Sequence, residues 1–312
     1  MNPDNSSSST TSKRCSIRIV SKIGHSTQPI YKVIEANQTP YALKLFPFQG
    51  GQPNFSYINE KRFSNLKHKN IISVVKTQDQ QKSCHRGETF YSSYIMMEFC
   101  PYGDFSSVLT KTRIFTEDSK LARTYFHQLI EGIDFLHSNG VSHMDLKLDN
   151  LLLSKDFTLK ITDFDCAYLK RDITILCRGT RNYRAPELRA ETCEDTQAAD
   201  IFSAGIILFV LRTGTLPYKE DSHCEGHNLY KMLMDQDPEY WAVHRSLTRS
   251  KVHLEEEFKE LFISMIKLDI VDRATIEDVK KSKWYNGPIY TQTEVQTIMT
   301  NLDLGLINQE YL

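Results

Sequence analysis

The sequence predicts an α+β chain in two unequal parts, a small β-rich one first and a larger helical one second. Three observations carry that prediction. From Ile17 to Phe48 short apolar runs alternate with turn residues, as in hairpin-linked strands; Ile17-Arg18-Ile19-Val20 and Tyr41-Ala42-Leu43-Lys44-Leu45 are the clearest. After Cys100-Pro101-Tyr102-Gly103 the period changes, and Leu121, Tyr125, Leu129, Ile133 and Leu136 recur at helical spacing. Ala199 to Leu211 is apolar almost all round, which predicts a helix buried on every side.

The other elements follow in chain order. Residues 1–13 are polar and aperiodic and read as a disordered tail. Gly50-Gly51-Gln52-Pro53-Asn54 interrupts the strands. A helix is expected over Tyr57–Leu66, then strands around Ile71–Val75 and Tyr91–Glu98. Further helical patterns run through Leu254–Ile266 and Thr275–Lys281, and Asn286-Gly287-Pro288 is expected to end the compact region. The chain thus divides into a tail (1–13), a compact region (14–286, its parts being 14–99 and 100–286) and a C-terminal tail (287–312). In that last segment Val295, Ile298, Met299 and Leu302 form a weak amphipathic pattern, expected to pack on the helical part.

Bulk properties exclude several function classes. Lys+Arg 38 against Asp+Glu 39 leaves a net charge of -1, so binding to nucleic acid or anionic membrane is not indicated. No apolar stretch reaches the roughly 18 residues of a membrane span. The first residues hold no signal-peptide core. The cysteines are odd in number, widely spaced and without a CxxC pair, which fits neither a disulfide framework nor a zinc site. An intracellular, cytoplasmic location is the expectation.

The chemistry-bearing residues come in a fixed order. His143-Met144-Asp145-Leu146-Lys147-Leu148-Asp149-Asn150 resembles the catalytic loop of eukaryotic-type protein kinases. Asp163-Phe164-Asp165, after the strand Leu159-Lys160-Ile161-Thr162, looks like that family's magnesium motif. Gly179-Thr180 and Ala185-Pro186-Glu187 resemble the end of its activation segment, and Asp200 to Gly205 its next helix. Upstream, Tyr41-Ala42-Leu43-Lys44, Glu60 and His68-Lys69-Asn70-Ile71-Ile72 stand where the family has its phosphate lysine, the glutamate that pairs with it, and the segment after them. The resemblance covers about residues 16 to 286.

The resemblance implies a bilobal protein-kinase-like fold, a β-rich N-lobe (14–99) and a helical C-lobe (100–286), that transfers a phosphoryl group from ATP to protein substrates. Asp145 would be the catalytic base and Lys147 would sit over the migrating phosphoryl group; lysine there is typical of Ser/Thr rather than Tyr kinases. Asn150 and Asp163 would hold Mg2+, as oxygen ligands suited to a hard cation. For ATP the implied set is Ile23, Gly24, Tyr31, Ala42, Lys44, Glu60, Met97 as gatekeeper, Glu98 and Cys100 at the hinge, Asp104 near the ribose, and Leu152 below the adenine. Arg273 would pair with Glu187. The hinge and helical region look most like calcium/calmodulin-dependent kinases and their relatives, but no basic helix after residue 286 suggests calmodulin binding.

The chain departs from the family pattern in places. Gly24-His25-Ser26-Thr27-Gln28-Pro29 keeps only the first glycine of Gly-x-Gly-x-x-Gly, and the proline lacks an N–H donor, so weaker ATP binding or a stiffer lid is expected. Met144 replaces the arginine that binds an activation-segment phosphate, so activity is expected not to depend on phosphorylation, at Thr174 for example. Asp165 replaces a glycine; Asp enters the left-handed backbone region at some cost and far less freely, so the motif is expected to flip less easily between metal-binding and inactive states. Arg181 and Arg184 suggest tolerance for acidic residues after the acceptor, Asp104 and Asp149 a preference for basic ones before it. Cys166 and Cys177 are read as inert thiols. The competing reading of these departures is a pseudokinase, a scaffold without catalysis.

Overall fold

The computed structural model describes residues 17–24, 27–85, 88–172, 179–189, 193, 195–219, 228–302 and 304–305. The N-lobe sheet has five antiparallel strands in the order β1-β2-β3-β5-β4: β1 (Arg18–Ile23), β2 (Ile30–Ile34), β3 (Pro40–Pro47), β4 (Val74–His85) and β5 (Glu88–Glu98). Strand periodicity gives the sheet two different faces. Val33, Leu43, Tyr94 and Met96 form a small cluster on one, while Ala42, Phe46, Ile95 and Met97 join the main core on the other. The β4–β5 hairpin is longer than its apolar residues predict, because β4 lies at the sheet edge, where polar residues such as Gln78 and Gln81 are tolerated.

Helix α1 (Phe55–Lys61) is seven residues long, too short to be stable alone. It ends earlier than the sequence pattern suggests, and turns carry the chain onward through Phe63 and Leu66. Asn54 caps its first turn through Ser56 N–H. Packing supplies the rest, with the Tyr57 ring 5.4 Å from Phe46 and Phe63, just beyond the helix, 5.9 Å from Phe164.

The C-lobe begins with α2 (Phe105–Lys111), α3 (Ile114–Glu117) and α4 (Ser119–Ser138). The α4 residues read as apolar from the sequence, Leu121 to Leu136, are all fully buried. Four short strands follow: β6 (Val141–Ser142), β7 (Leu151–Leu153), β8 (Leu159–Ile161) and β9 (Tyr168–Leu169), paired as β6–β9 and β7–β8. They frame the loop 143–150. Next come α5 (Thr196–Thr213), α6 (Leu229–Met234), α7 (Tyr240–Thr248), α8 (Glu256–Met265), α9 (Ile276–Lys281) and α10 (Gln292–Thr300). By length and composition α5 is apolar enough to cross a membrane, but it is a core helix here, with the Phe209 ring tilted against Phe262 of α8 at 4.7 Å.

The compact lobe does not stop at residue 286. Thr291 and Glu294 form a capping box that starts α10, and Val295 and Met299 are fully buried. Arg123 of α4 donates to the carbonyls of Trp284 (2.6 Å) and Pro288 (2.9 Å), which bends the chain back onto the lobe. The weak amphipathic pattern was the trace of this packing.

Candidate active site

A cleft of about 620 Å³ opens between the lobes, within the range that holds a nucleotide-sized ligand. In its roof, β3 carries Lys44, whose ammonium lies 2.7 Å from Glu60 Oε2 on α1 and 2.6 Å from Asp163 Oδ1. Burial opposes the charge on Lys44, but the two carboxylates outweigh it and hold its pKa above the ordinary lysine value. Burial pushes the Glu60 carboxyl up to about 7 against the pull of Lys44. Burial also works against the Asp163 carboxylate, yet Lys44, His143 and Lys147 keep it below its ordinary value.

The floor is fixed from below. Asp200 of α5 accepts hydrogen bonds from the backbone N–H of His143 (2.8 Å) and of Met144 (2.9 Å). This clamp holds Met144 at φ 65, a conformation costly for a side-chain-bearing residue. The Met144 side chain is buried in the main core and offers nothing to a phosphate. Above the clamp, Asp145 Oδ1 accepts from Thr180 N–H (2.7 Å) and Thr180 Oγ1 (2.9 Å), and Oδ2 from Lys147 Nζ (2.8 Å) and Asn150 Nδ2 (3.1 Å). Lys147 Nζ also donates to Thr180 Oγ1 at 2.9 Å. Burial works against the Lys147 charge, but Asp145 raises its pKa above the usual lysine value. Gly179 makes this closure possible: at φ 106, an added Cβ would lie 2.6 Å from the Met144 carbonyl oxygen.

The magnesium motif is arranged differently from the sequence expectation. Asp163, not Asp165, occupies the left-handed region, at φ 68 and ψ 73. Asp165 lies inside a short 3-10 turn, Phe164–Cys166, so replacing glycine there incurs no left-handed strain. Phe164 packs between Phe63 and His143, at ring distances of 5.9 Å and 5.0 Å. The donor set suits a hard cation: the Asn150 amide nitrogen donates to Asp145, which leaves its carbonyl oxygen, with the Asp163 carboxylate, as the oxygen donors that would hold the ion. Among the described residues no cluster of three or more His, Cys, Asp or Glu could hold a metal unaided.

Most of the predicted nucleotide residues converge. Ile23, Gly24, Ala42, Lys44, Met97, Glu98, Cys100, Asp104, Leu152, Asn150 and Asp163 line the cleft, together with Lys147. Glu60 stands behind Lys44, while Asp145 is reached through Lys147 and Thr180. Tyr31 is a correction. In the β2–β3 register Ile30 lies opposite Lys44 and Tyr31 opposite Leu43, so Ile30 faces the cleft and Tyr31 packs on the outer cluster. The cross-strand pairing of Ile30 with Lys44, a residue expected in the cleft, is the signal that marks Ile30 rather than Tyr31. Pro29 likewise sits at the foot of β2, its carbonyl accepting from Leu45 N–H. Thr27, Phe99, Gly103, Asp149 and Thr180 also line the cleft. Asp104 additionally caps α2 through Ser107 N–H. Burial raises the Cys100 thiol to about 12, an inert group, and Cys166 is likewise buried and shifted up. Thr174 and Cys177 lie outside the described residues.

The substrate side of the floor is braced by ion pairs and backbone contacts. Arg273 forks onto Glu187, at 2.5 Å and 2.9 Å, and donates to the Ala198 carbonyl. Arg184 donates to the Gly179 carbonyl at 2.6 Å and so helps hold the loop.

The family description that fits the chain, the protein kinase domain, covers residues 18–285. Among curated proteins, CBL-interacting protein kinase 11 of Oryza sativa subsp. japonica is 33% identical over 230 residues, 72% of this chain and 41% of that protein. CBL-interacting protein kinase 26 of the same organism is 34% identical over 226 residues, 70% of this chain and 41% of that protein. CBL-interacting serine/threonine-protein kinase 8 of Arabidopsis thaliana is 35% identical over 199 residues, 62% of this chain and 40% of that protein. The chain therefore spans less than half the length of these relatives.

Proposed function

This chain belongs to the protein kinase family, and we propose that it transfers the γ-phosphoryl group of Mg-ATP to serine or threonine of protein substrates, without a phosphate on its own activation segment. The observation that carries this reading is Lys147, which bonds at once to Asp145 and to Thr180. That contact joins the catalytic loop to the loop that receives the substrate, in the Ser/Thr manner.

The chain's residues divide the work. Main-chain groups of Glu98 and Cys100 hold the adenine edge, between Ala42 above and Leu152 below. Lys44, kept charged and oriented by Glu60, meets the α- and β-phosphates. Asn150 and Asp163 would hold Mg2+, which would supply neutralisation of the phosphate charge. The substrate hydroxyl oxygen attacks the γ-phosphorus as the bond to the β–γ bridging oxygen breaks. Asp145 orients that hydroxyl and receives its proton, and Lys147 stabilises the transferring group.

Independence from phosphorylation rests on Met144, since a buried thioether cannot anchor a phosphate. The experiment is phosphoamino-acid analysis after incubating phosphatase-treated protein with radiolabelled ATP and a peptide library. Label on serine and threonine is expected; label on tyrosine, or label only before phosphatase treatment, overturns the proposal.

A further inference from the structure

Helix α1 is fastened to the activation segment by a chain of hydrogen bonds that the catalytic mechanism does not use. Asn59 is buried, and its Nδ2 donates to the backbone carbonyls of Asp165 (2.8 Å) and Ala167 (2.9 Å). Its Oδ1 accepts from Arg62 at 2.8 Å. Arg62 in turn places one guanidinium nitrogen 2.7 Å and 2.8 Å from the two carboxylate oxygens of Asp172. Asp172 is itself pinned by the Leu169 N–H at 2.9 Å. Burial works against its charge, but Arg62 and that N–H hold the carboxyl below its ordinary value, so it is ionised at neutral pH.

We propose that Asn59, Arg62 and Asp172 are positioning residues that form a phosphate-free latch, holding α1 against the activation segment so that Glu60 reaches Lys44. The proposal rests on the kinase reading and supplies what Met144 removes: a carboxylate built into the chain does the ordering work of an added phosphate. An isolated, half-exposed Arg–Asp pair would contribute little. This pair is not isolated. Arg62 fixes the Asn59 amide by occupying its oxygen, which commits the amide nitrogen to the two carbonyls beside Phe164. Asn59 is the residue next to Glu60, so the latch acts one position from the group it places. A helix of seven residues has few other means of keeping that register.

The test uses the full chain with Arg62→Gln, Asp172→Asn and the double variant, each checked for a wild-type melting temperature. Steady-state kinetics should show kcat lowered about fivefold in each single variant with peptide KM within about twofold, and the double no worse than either single, as members of one network behave. Arg62→Lys should recover most of the loss. Unchanged kcat in either single, or losses that multiply in the double, would overturn the latch. A second measurement needs no activity: hydrogen exchange across 55–63 in the nucleotide-free protein should be faster in Asp172→Asn than in wild type. Equal exchange overturns the latch even where kcat falls. A wild type without phosphoryl transfer defeats the kinase reading, and the exchange result alone then decides the latch.

Discussion

Below the cleft, Asp145 is held by four donors from three residues, within 2.7 to 3.1 Å, and its loop hangs from Asp200. Above the cleft, the link from β1 to β2 keeps one glycine and contributes Ile23, Gly24, Thr27 and Ile30 as lining. The floor fixes individual atoms by directed hydrogen bonds; the roof shapes space by strand pairing. The difference explains which departures from the family pattern the molecule tolerates. The floor retains Asp145, Lys147, Asn150 and Asp163, and of its changes Met144 leaves the backbone clamp intact because Asp200 binds main-chain N–H groups, while Asp165 sits in a turn that needs no glycine. The roof has lost glycines, but its sheet register still delivers Lys44.

Perturbing the two regions should therefore have unequal consequences. Arg273→Ala leaves Glu187 without its partner beneath the floor, and denaturant unfolding should show a loss of about 3 kcal/mol, the usual result of breaking a buried pair from one side. Stability within about 0.5 kcal/mol of wild type would mean the brace is not structural. Gly179→Ala forces a Cβ toward the Met144 carbonyl and must shift Thr180 away from Asp145. A fall in kcat of about 100-fold is expected, with ATP affinity by thermal shift nearly unchanged.

The junction of roof and floor should titrate. Because burial raises the Glu60 carboxyl to about 7, the carboxylate is present above that pH and gains a proton as pH falls through it. Loss of that charge leaves Lys44 paired with Asp163 alone and no longer tied to α1 by an ion pair. kcat/KM for ATP should then drop about tenfold between pH 7.5 and pH 6, since it reports groups of the free enzyme. In Glu60→Gln activity should be low throughout and lack this limb; a limb that survives the substitution belongs to another group.

The roof alone gives the smallest effects. Ile30→Ala should raise the KM for ATP by about threefold to fivefold through lost apolar contact, whereas Tyr31→Ala should leave it within about twofold. The reverse order would show the β2 register to be wrong.

The same contrast governs what could be read from the sequence. Asp145, Lys147, Asn150 and Asp163 sit on short loops whose chemistry needs those residue types at those spacings, so the linear order announces them. Both lobes were legible from periodicity, since the apolar residues of β3 in one, Ala42 and Leu43, and of α4 and α5 in the other are the buried ones. Three features were not legible. The Tyr31 and Ile30 exchange depends on the register of β2 against β3, which the alternation within one strand does not record. The Asp165 backbone follows from the turn that Asn59 pins, a contact between residues 106 positions apart. The bend at residues 284–288 depends on Arg123 meeting the Trp284 and Pro288 carbonyls, again through distant partners, although the amphipathic pattern after it already predicts that α10 packs. Sequence pattern reports local geometry and which face is apolar, but not which distant polar groups will meet.

The central claim is that the floor carries phosphoryl transfer despite the altered roof. It is tested most directly by comparing phosphatase-treated wild type with Asp145→Asn in a radiolabelled ATP assay with Mg2+. The account predicts incorporation by wild type and a loss of about 1,000-fold or more in the variant, within the usual weight of a catalytic acid–base group, while both keep the same thermal shift with Mg-ATP. Equal, background-level incorporation by both proteins over a broad peptide library, with Mg2+ or Mn2+, would contradict it and leave a nucleotide-binding scaffold.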